Sequence, residues 1–127
     1  KWKSKRLLTI LKGGKYSRGL HTDGIHYPQW IQSSLVKKNH LKSISVHSGK
    51  DIRKSINIRA NLVFISPVFV TTSHKNEKSL GIIRLGLLVK LFKIPVIALG
   101  GINKNNISRL KNLPISGCAA IDAFLEE

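Results

Sequence analysis

Two adjacent glycines, Gly100 and Gly101, stand directly after the apolar segment Val96–Leu99. The four apolar residues run without polar alternation, which predicts a parallel-sheet strand buried on both faces. We expect residues 103–106 to begin a short helix. Glycine lets an anion approach backbone N–H groups, and the first turn of a helix offers unpaired donors and a positive dipole end. The segment therefore predicts a phosphate cradle, with a plain structural turn as the alternative.

Two histidines and the single cysteine are further residues whose chemistry could serve a site. His47 ends the strand-like pattern at residues 43–47. At this position it can be either a hydrogen-bonded structural histidine or a catalytic one. His26 lies inside a strand pattern, so we expect a core histidine whose ring nitrogens are hydrogen-bonded. Cys118 lies in an apolar strand pattern and is the only cysteine, which excludes an internal disulfide. We expect Cys118 to be a small core residue in a reducing compartment.

The size of the chain suits one domain. Its 127 residues, 42% of them hydrophobic, can bury about two-thirds of the unfolded surface, so we expect a single domain over residues 1–127. The basic residues 1–6 precede an apolar run too short for a secretory signal. Arg84 and Lys90 interrupt the longest apolar region, so no membrane span is predicted. We expect a cytoplasmic protein.

The formal net charge of +16 opens a second class of function, because a basic surface attracts nucleic-acid phosphates whatever their sequence. The basic residues are scattered, and no zinc-finger spacing, RGG repeat or aromatic–basic motif accompanies them. This pattern disfavours nucleic-acid binding, which stays an alternative to a phosphate-ester site.

Strand-like and helix-like patterns alternate along the chain. Ser48 and Asp51 have the spacing of a capping box at the start of one helix. A second helix is predicted at residues 80–92, with a wide apolar face to cover a sheet, and a shorter one around Ile107 and Leu110.

The alternation predicts an α/β protein with a parallel sheet. A closed eight-stranded barrel takes upwards of about 200 residues, so the chain is either an open sheet or a barrel lacking two βα units. The six predicted strands are residues 7–11, 23–27, 43–47, 62–69, 96–99 and 118–121.

The order of five short motifs decides between these folds. The motifs are DGIH at 23–26, SVHS at 45–48, SPVF at 66–69 with TTSH at 71–74, LGGI at 99–102, and AAIDA at 119–123. Over about residues 7–125 they resemble the thiamine phosphate synthase/TenI family. The resemblance implies a (β/α)₈ TIM barrel represented by about six βα units, because residues 7–11 match the family's third strand and residues 118–121 its eighth. The barrel would be truncated at its N-terminus, and its two open edges would favour a homo-oligomer.

The resemblance also implies a reaction and a site. Synthases of this family join hydroxymethylpyrimidine pyrophosphate to thiazole phosphate and release pyrophosphate with the help of Mg²⁺. The chemistry needs a seat for the thiazole phosphate and a clamp of polar donors for the leaving pyrophosphate. The candidate residues fall into three sets: Ser45 and His47 for catalysis; Gly100, Gly101 and Asp122 for the thiazole phosphate; Thr71, Ser73, His74 and Lys75 for the pyrophosphate.

The chain departs from the family at the metal site. The family's Asn-Asp pair aligns with Leu11 and Lys12, and the motif after the fourth strand keeps only Gln29. We therefore expect no protein metal site, and Mg²⁺ would be carried by the pyrophosphate. Asp122 stands where the family usually has serine, and a carboxylate there repels a phosphate dianion unless a cation lies between them.

These observations predict a divergent thiamine phosphate synthase-like transferase whose partners are small phosphate esters and not a membrane. A TenI-like thiazole tautomerase, or a non-catalytic binder of thiazole or thiamine phosphate, is the alternative within the family, although Ser66 stands where the tautomerase has histidine. We also expect Gly101→Val to weaken phosphate-ester binding without unfolding the chain.

Overall fold

The computed structural model of the protein describes residues 10–12, 22–32, 39–71 and 78–120. Two α-helices, α1 and α2, and two short 3₁₀ segments accompany six strands. The helices are α1 (Ile52–Asn57) and α2 (Gly81–Val89), and the 3₁₀ segments are Gly49–Asp51 and Ile107–Leu110. The strands are β1 (Ile10–Lys12), β2 (Gly24–Tyr27), β3 (Leu41–Val46), β4 (Leu62–Ile65), β5 (Val96–Leu99) and β6 (Gly117–Ala119).

All six strands form one parallel sheet in the order of the sequence. An open doubly wound sheet reverses its strand order at a switch point, whereas a (β/α) barrel adds each strand beside the previous one. The uninterrupted order therefore agrees with a TIM-barrel-like fold. It confirms the predicted parallel α/β architecture and each of the predicted strands within the described residues.

One face of the sheet, which we call the helix-covered face, is apolar and buried. Its side chains form a single core with Ile58 after α1 and with Leu85 and Val89 of α2. Burying a side chain of this size contributes about 1.5–3 kcal/mol, so this layer dominates the stability of the fold. The buried side chains of this face are Ile25, Tyr27, Ile44, Val46, Val63, Ile65, Val96 and Ala98.

The opposite face, which we call the open face, is only half-buried over most of its area. It consists of the residues that alternate with the helix-covered set: His26, Ser43, Ser45, Phe64, Ile97 and Leu99, of which Ser43 alone is fully buried. The prediction that Val96–Leu99 is buried on both faces is therefore wrong, since Ile97 and Leu99 stay half-exposed. No described helix covers this face, so its apolar residues keep part of their contact with water.

The two helices begin and pack by local rules that the sequence displays. The predicted capping box is present: the Asp51 carboxylate accepts hydrogen bonds from the N–H groups of His47 (2.9 Å) and Ser48 (3.0 Å). In α2 the apolar face is wider than the surface it covers, because Leu85 and Val89 are buried while other apolar residues of the helix, such as Ile83, are exposed.

Two predictions about single features have different outcomes. Cys118 is exposed and not a core residue: it pairs with Ala98 of the helix-covered face, but it lies on β6, the last strand of the described sheet. Neither α1 nor α2 is long and apolar enough to cross a membrane, and this finding concerns only the described residues.

Candidate functional site

The candidate site residues gather where the parallel strands end. His47 follows β3, residues 66–71 follow β4, and Gly100 and Gly101 follow β5. Because the strands are parallel and in register, these segments meet at one edge of the sheet, which we call the carboxyl edge. Active sites of (β/α) barrels lie at this edge.

The Gly100–Gly101 turn has a backbone shape that requires glycine. The φ angles are 95° at Gly100 and 66° at Gly101, in the left-handed region that side chains disfavour. A Cβ at Gly101 would collide with the carbonyl oxygens of Phe69 and Val70, and one at Gly100 would lie 3.0 Å from the Cα of Pro67. The loop after β4 thus packs directly on the turn.

The carbonyl groups of the turn accept hydrogen bonds, whereas its N–H groups donate none to a described residue. The oxygens of Leu99 and Gly100 accept hydrogen bonds from the N–H groups of Val68 and Phe69, both at 3.0 Å. The oxygen of Gly101 accepts one from the amide nitrogen of Asn106 at 2.7 Å. Within the part of the chain that the structure describes, the N–H groups of residues 100–102 have no hydrogen-bond acceptor. Consecutive free N–H groups in a turn form an anion-binding concavity.

The helix predicted to begin at residues 103–106 begins later: residues 104–106 form a turn in which Ile107 N–H donates to the Asn103 carbonyl at 3.0 Å, so the expected α-helix dipole does not contribute to the cradle. Asparagine side chains occupy the donors instead: Asn103 N–H donates to Asn106 Oδ1 and Asn105 N–H to Asn103 Oδ1, both at 2.9 Å. Short polar side chains compete with helical hydrogen bonds in this way. Only the four-residue 3₁₀ segment Ile107–Leu110 follows.

A hydrogen-bonded triplet links β2 and β3 on the open face. The His26 ring lies between two serines, with Nδ1 3.0 Å from Ser43 Oγ and Nε2 2.8 Å from Ser45 Oγ. Its edge meets the ring of Phe64, with centroids 5.3 Å apart. The expectation that His26 is a hydrogen-bonded histidine is confirmed. The candidate catalytic residue Ser45 is thus held by His26, a partner that the sequence reasoning did not assign to it.

Burial keeps the His26 imidazole neutral. Desolvation, and to a smaller extent the positive charge of Lys12, hold the pKa of His26 below its ordinary value. A neutral ring donates from one nitrogen and accepts at the other. One serine hydroxyl can therefore donate to His26 while the other accepts from it.

The structure does not join His47 to Ser45. The half-buried His47 lies two residues beyond Ser45, and its backbone N–H donates to Asp51. The hydroxyl of Ser45 bonds to His26 instead. The two candidate catalytic residues therefore have different hydrogen-bond partners in the described structure.

The other candidate residues are placed only in part. Thr71 is half-buried directly after Val70, whose carbonyl packs against Gly101, so the start of the predicted pyrophosphate loop adjoins the glycine turn. Ser73, His74, Lys75 and Asp122 lie outside the described residues.

A cation that the sequence reasoning missed lies beside the same turn. The guanidinium of Arg109 lies 5.3 Å from the ring centre of Phe69, whose backbone packs on Gly101. This cation–π contact depends on the fold of the turn after β5, and the sequence carries no motif that signals it.

The described residues do not fit a magnesium ion held by protein carboxylates. The Asp51 carboxylate accepts hydrogen bonds at the start of a helix. Within the described ranges, no three His, Cys, Asp or Glu residues come together as metal ligands.

Comparison with known proteins supports the resemblance. The family model described as thiamine monophosphate synthase matches residues 15–124. A thiamine-phosphate synthase of Prochlorococcus marinus is 35% identical over 108 residues, which are 81% of this chain and 31% of that protein. A putative thiamine-phosphate synthase 2 of Aquifex aeolicus is 32% identical over 128 residues, covering 98% of this chain and 69% of that protein.

A solved structure has the same fold. The thiamine phosphate pyrophosphorylase of Pyrococcus furiosus superposes with a TM-score of 0.78 at 22% identity, over 94% of this chain and 59% of that one. The chain also spans 52% of a Clostridium tetani thiamine-phosphate synthase that is 28% identical to it. It thus spans about a third to two-thirds of the length of these relatives.

Proposed function

Because the chain belongs to the thiamine monophosphate synthase/TenI family, we propose that it acts in thiamine biosynthesis as a thiamine phosphate synthase-like transferase. The reaction forms a bond from the thiazole nitrogen to the pyrimidine methylene carbon. It breaks the bond from that carbon to oxygen, so the bonding electrons leave with pyrophosphate. The protein must therefore seat one phosphate and stabilise a second, departing one.

The glycine turn after β5 is the observation that carries this proposal. It combines left-handed glycines, N–H groups at residues 100–102 that no described residue accepts, and a close approach by the loop after β4. Backbone donors without side chains suit a phosphate dianion, which accepts several short hydrogen bonds. We assign the thiazole phosphate to this turn, and Arg109, which lies over the Phe69 ring, is a cation on the loop that packs against it.

The loop that starts at Thr71 is our candidate for the pyrophosphate. Thr71 adjoins the glycine turn, and Ser73, His74 and Lys75 would add a hydroxyl, an imidazole and a cation. Mg²⁺ would arrive with the pyrophosphate, since Leu11 and Lys12 stand where the family has its Asn-Asp pair. Such groups neutralise the negative charge of the leaving pyrophosphate in this class of reaction.

Ser45 is the candidate for contact with the pyrimidine. Its hydroxyl is fixed by His26, a neutral ring on a neighbouring strand, so its orientation is set before substrate binds. His47, at the end of β3, is the second candidate at the same edge.

Calorimetry with thiazole phosphate tests the binding step. We expect saturable binding that survives EDTA, and much weaker binding of the dephosphorylated thiazole alcohol, which is the matched ligand control. Equal affinity for the phosphate and the alcohol would remove the glycine turn from the site.

Pyrophosphate release tests turnover. A synthase releases pyrophosphate only when both substrates are present, and EDTA suppresses the release. Thiazole-phosphate binding without release would favour a TenI-like or non-catalytic binder. Affinity for nucleic acid that falls steeply with salt, with no response to thiazole phosphate, would favour the basic binding protein.

A further inference from the structure

The edge of the sheet opposite the candidate site holds an open cleft of about 450 Å³. It lies where β3 and β4 begin, at the far end of these strands from the glycine turn. Its described lining combines two cations, two amides and an imidazole, with no carboxylate among them: Asn39, His40, Leu41, Lys42, Arg59 and Asn61. This composition favours an anionic ligand.

His40 has an unmet hydrogen-bond requirement at this cleft. Its Nδ1 atom is buried and has no hydrogen-bond partner among the described residues. Buried polar atoms almost always have a partner in protein, water or ligand. His40 lines the cleft, and a molecule bound there can become a partner of Nδ1 only if the ring turns, because this atom has almost no accessible surface.

Arg59 occupies a backbone position where arginine is unusual. Its φ angle is 53°, in the left-handed region. It follows α1 in a hydrogen-bonded helix end, where Arg59 N–H donates to Ile56 and Ala60 N–H donates to Ser55, both at 2.9 Å. Glycine or asparagine is the usual residue at this position. Arg59 lines this cleft and a second one beside α1, and a disfavoured backbone conformation of this kind points to a functional reason.

The backbone around Lys42 and Asn61 fixes the shape of the cleft. Lys42 N–H donates to the side-chain oxygen of Asn61 at 2.9 Å, and Asn61 N–H donates to the Lys42 carbonyl at 2.7 Å. With its oxygen occupied, the Asn61 amide offers its NH₂ group as a donor.

We propose that this cleft binds a phosphate-type oxyanion, either inorganic phosphate or the phosphate group of a small ester. Lys42 and Arg59 would supply the positive charge, while His40 and Asn61 would supply hydrogen bonds. The cleft lies at the amino ends of the strands, so its occupant leaves the carboxyl edge open. The inference rests on these residues alone and does not depend on the proposed transferase activity.

Amide NMR of the full chain tests this site and separates it from the glycine turn. Sodium phosphate is titrated at constant ionic strength against sodium chloride, and a parallel titration with glycerol 3-phosphate distinguishes free phosphate from an ester. We expect saturable shifts at residues 40–42 and 59–61, read independently of any shifts at residues 100–102.

Variants then separate a built site from diffuse positive charge. Arg59→Asn keeps a residue that tolerates the left-handed conformation and removes the charge, so we expect the phosphate Kd to rise about tenfold. Arg53→Gln, which removes one exposed cation of α1 outside the lining, should change the Kd by less than about twofold.

Two outcomes would overturn the proposal. One is the absence of saturable shifts at residues 40–42 and 59–61 in the folded chain, which would leave the cleft to water. The other is an equal loss of affinity in Arg53→Gln and Arg59→Asn. Should Arg59→Asn fail to fold, Lys42→Gln replaces it with the same expected loss.

Discussion

The two faces of the sheet differ in burial, composition and task. The helix-covered face carries most of the apolar, buried side chains, and Ile44, Val63 and Ile65 there have no exposed surface. On the open face the alternating residues include His26 and Ser45, which are hydrogen-bonded and half-buried. In each strand, the side chains that point toward the helices stabilise the fold, and those that point the other way are available for chemistry.

The sharpest test of this comparison replaces the same residue type on each face. Ile65→Ala removes a fully buried side chain from β4, and we expect it to lower the free energy of unfolding by about 2–5 kcal/mol. Ile97→Ala removes a half-exposed side chain from β5, and we expect about half that loss because less apolar surface returns to water. Urea unfolding measures both, and equal losses would mean that the faces do not differ in this way.

A second test concerns the glycine turn at the carboxyl edge. The structure revises the expectation that Gly101→Val leaves the fold intact, because the new side chain would meet the carbonyl oxygens of Phe69 and Val70. We expect a loss of about 1–3 kcal/mol of unfolding free energy together with loss of thiazole-phosphate binding. Thermal unfolding and calorimetry measure the two effects.

Gly49→Ala is the matched control for that test. A Cβ at Gly49 meets no atom within 4 Å, so this variant should keep both stability and binding. A Gly101→Val protein that binds thiazole phosphate with unchanged affinity would exclude the turn from the site.

The third test uses the pH dependence of stability. The folded-state pKa of His26 lies below its ordinary value because of burial and Lys12, so protons bind preferentially to the unfolded chain. The contribution of His26 is complete above about pH 6.5, the ordinary histidine pKa, and is lost as the pH falls below it.

The variant His26→Phe should remove this component of the pH dependence. We therefore expect the difference in unfolding free energy between the wild type and the variant to shrink as the pH falls from 7 to 5. Urea unfolding at each pH measures it, and a difference that stays constant would show that His26 does not titrate in this way.

Local patterns were enough to predict much of the fold. The six strands and the capping box at Ser48 and Asp51 follow from apolar periodicity and short-range spacing, which are properties of neighbouring residues. The two faces of Val96–Leu99 could not be separated, because all four residues are apolar and only the placement of helices decides which of them are buried.

The site was less predictable, because its contacts depend on register between strands. The bond from His26 to Ser45 joins residues 19 positions apart, and it exists because β2 and β3 pair with His26 opposite Ser43. The asparagines at residues 103–106 indicated a helix start, yet their side chains close a turn around the backbone donors. Whether asparagine side chains compete with the helix for these backbone hydrogen bonds depends on how the preceding turn is folded.

The smallest expected effect concerns the charge at the carboxyl edge, where the open face meets the proposed substrate. Asp122 stands where the family usually has serine, and a carboxylate near a phosphate dianion repels it. We expect Asp122→Ser to tighten thiazole-phosphate binding by tenfold at most, roughly 1.4 kcal/mol, as measured by calorimetry. Asp122→Asn, which keeps the size of the side chain and removes its charge, should give most of the same gain. Weaker binding in both variants would instead make the carboxylate a ligand contact, with a cation such as Arg109 offsetting its charge.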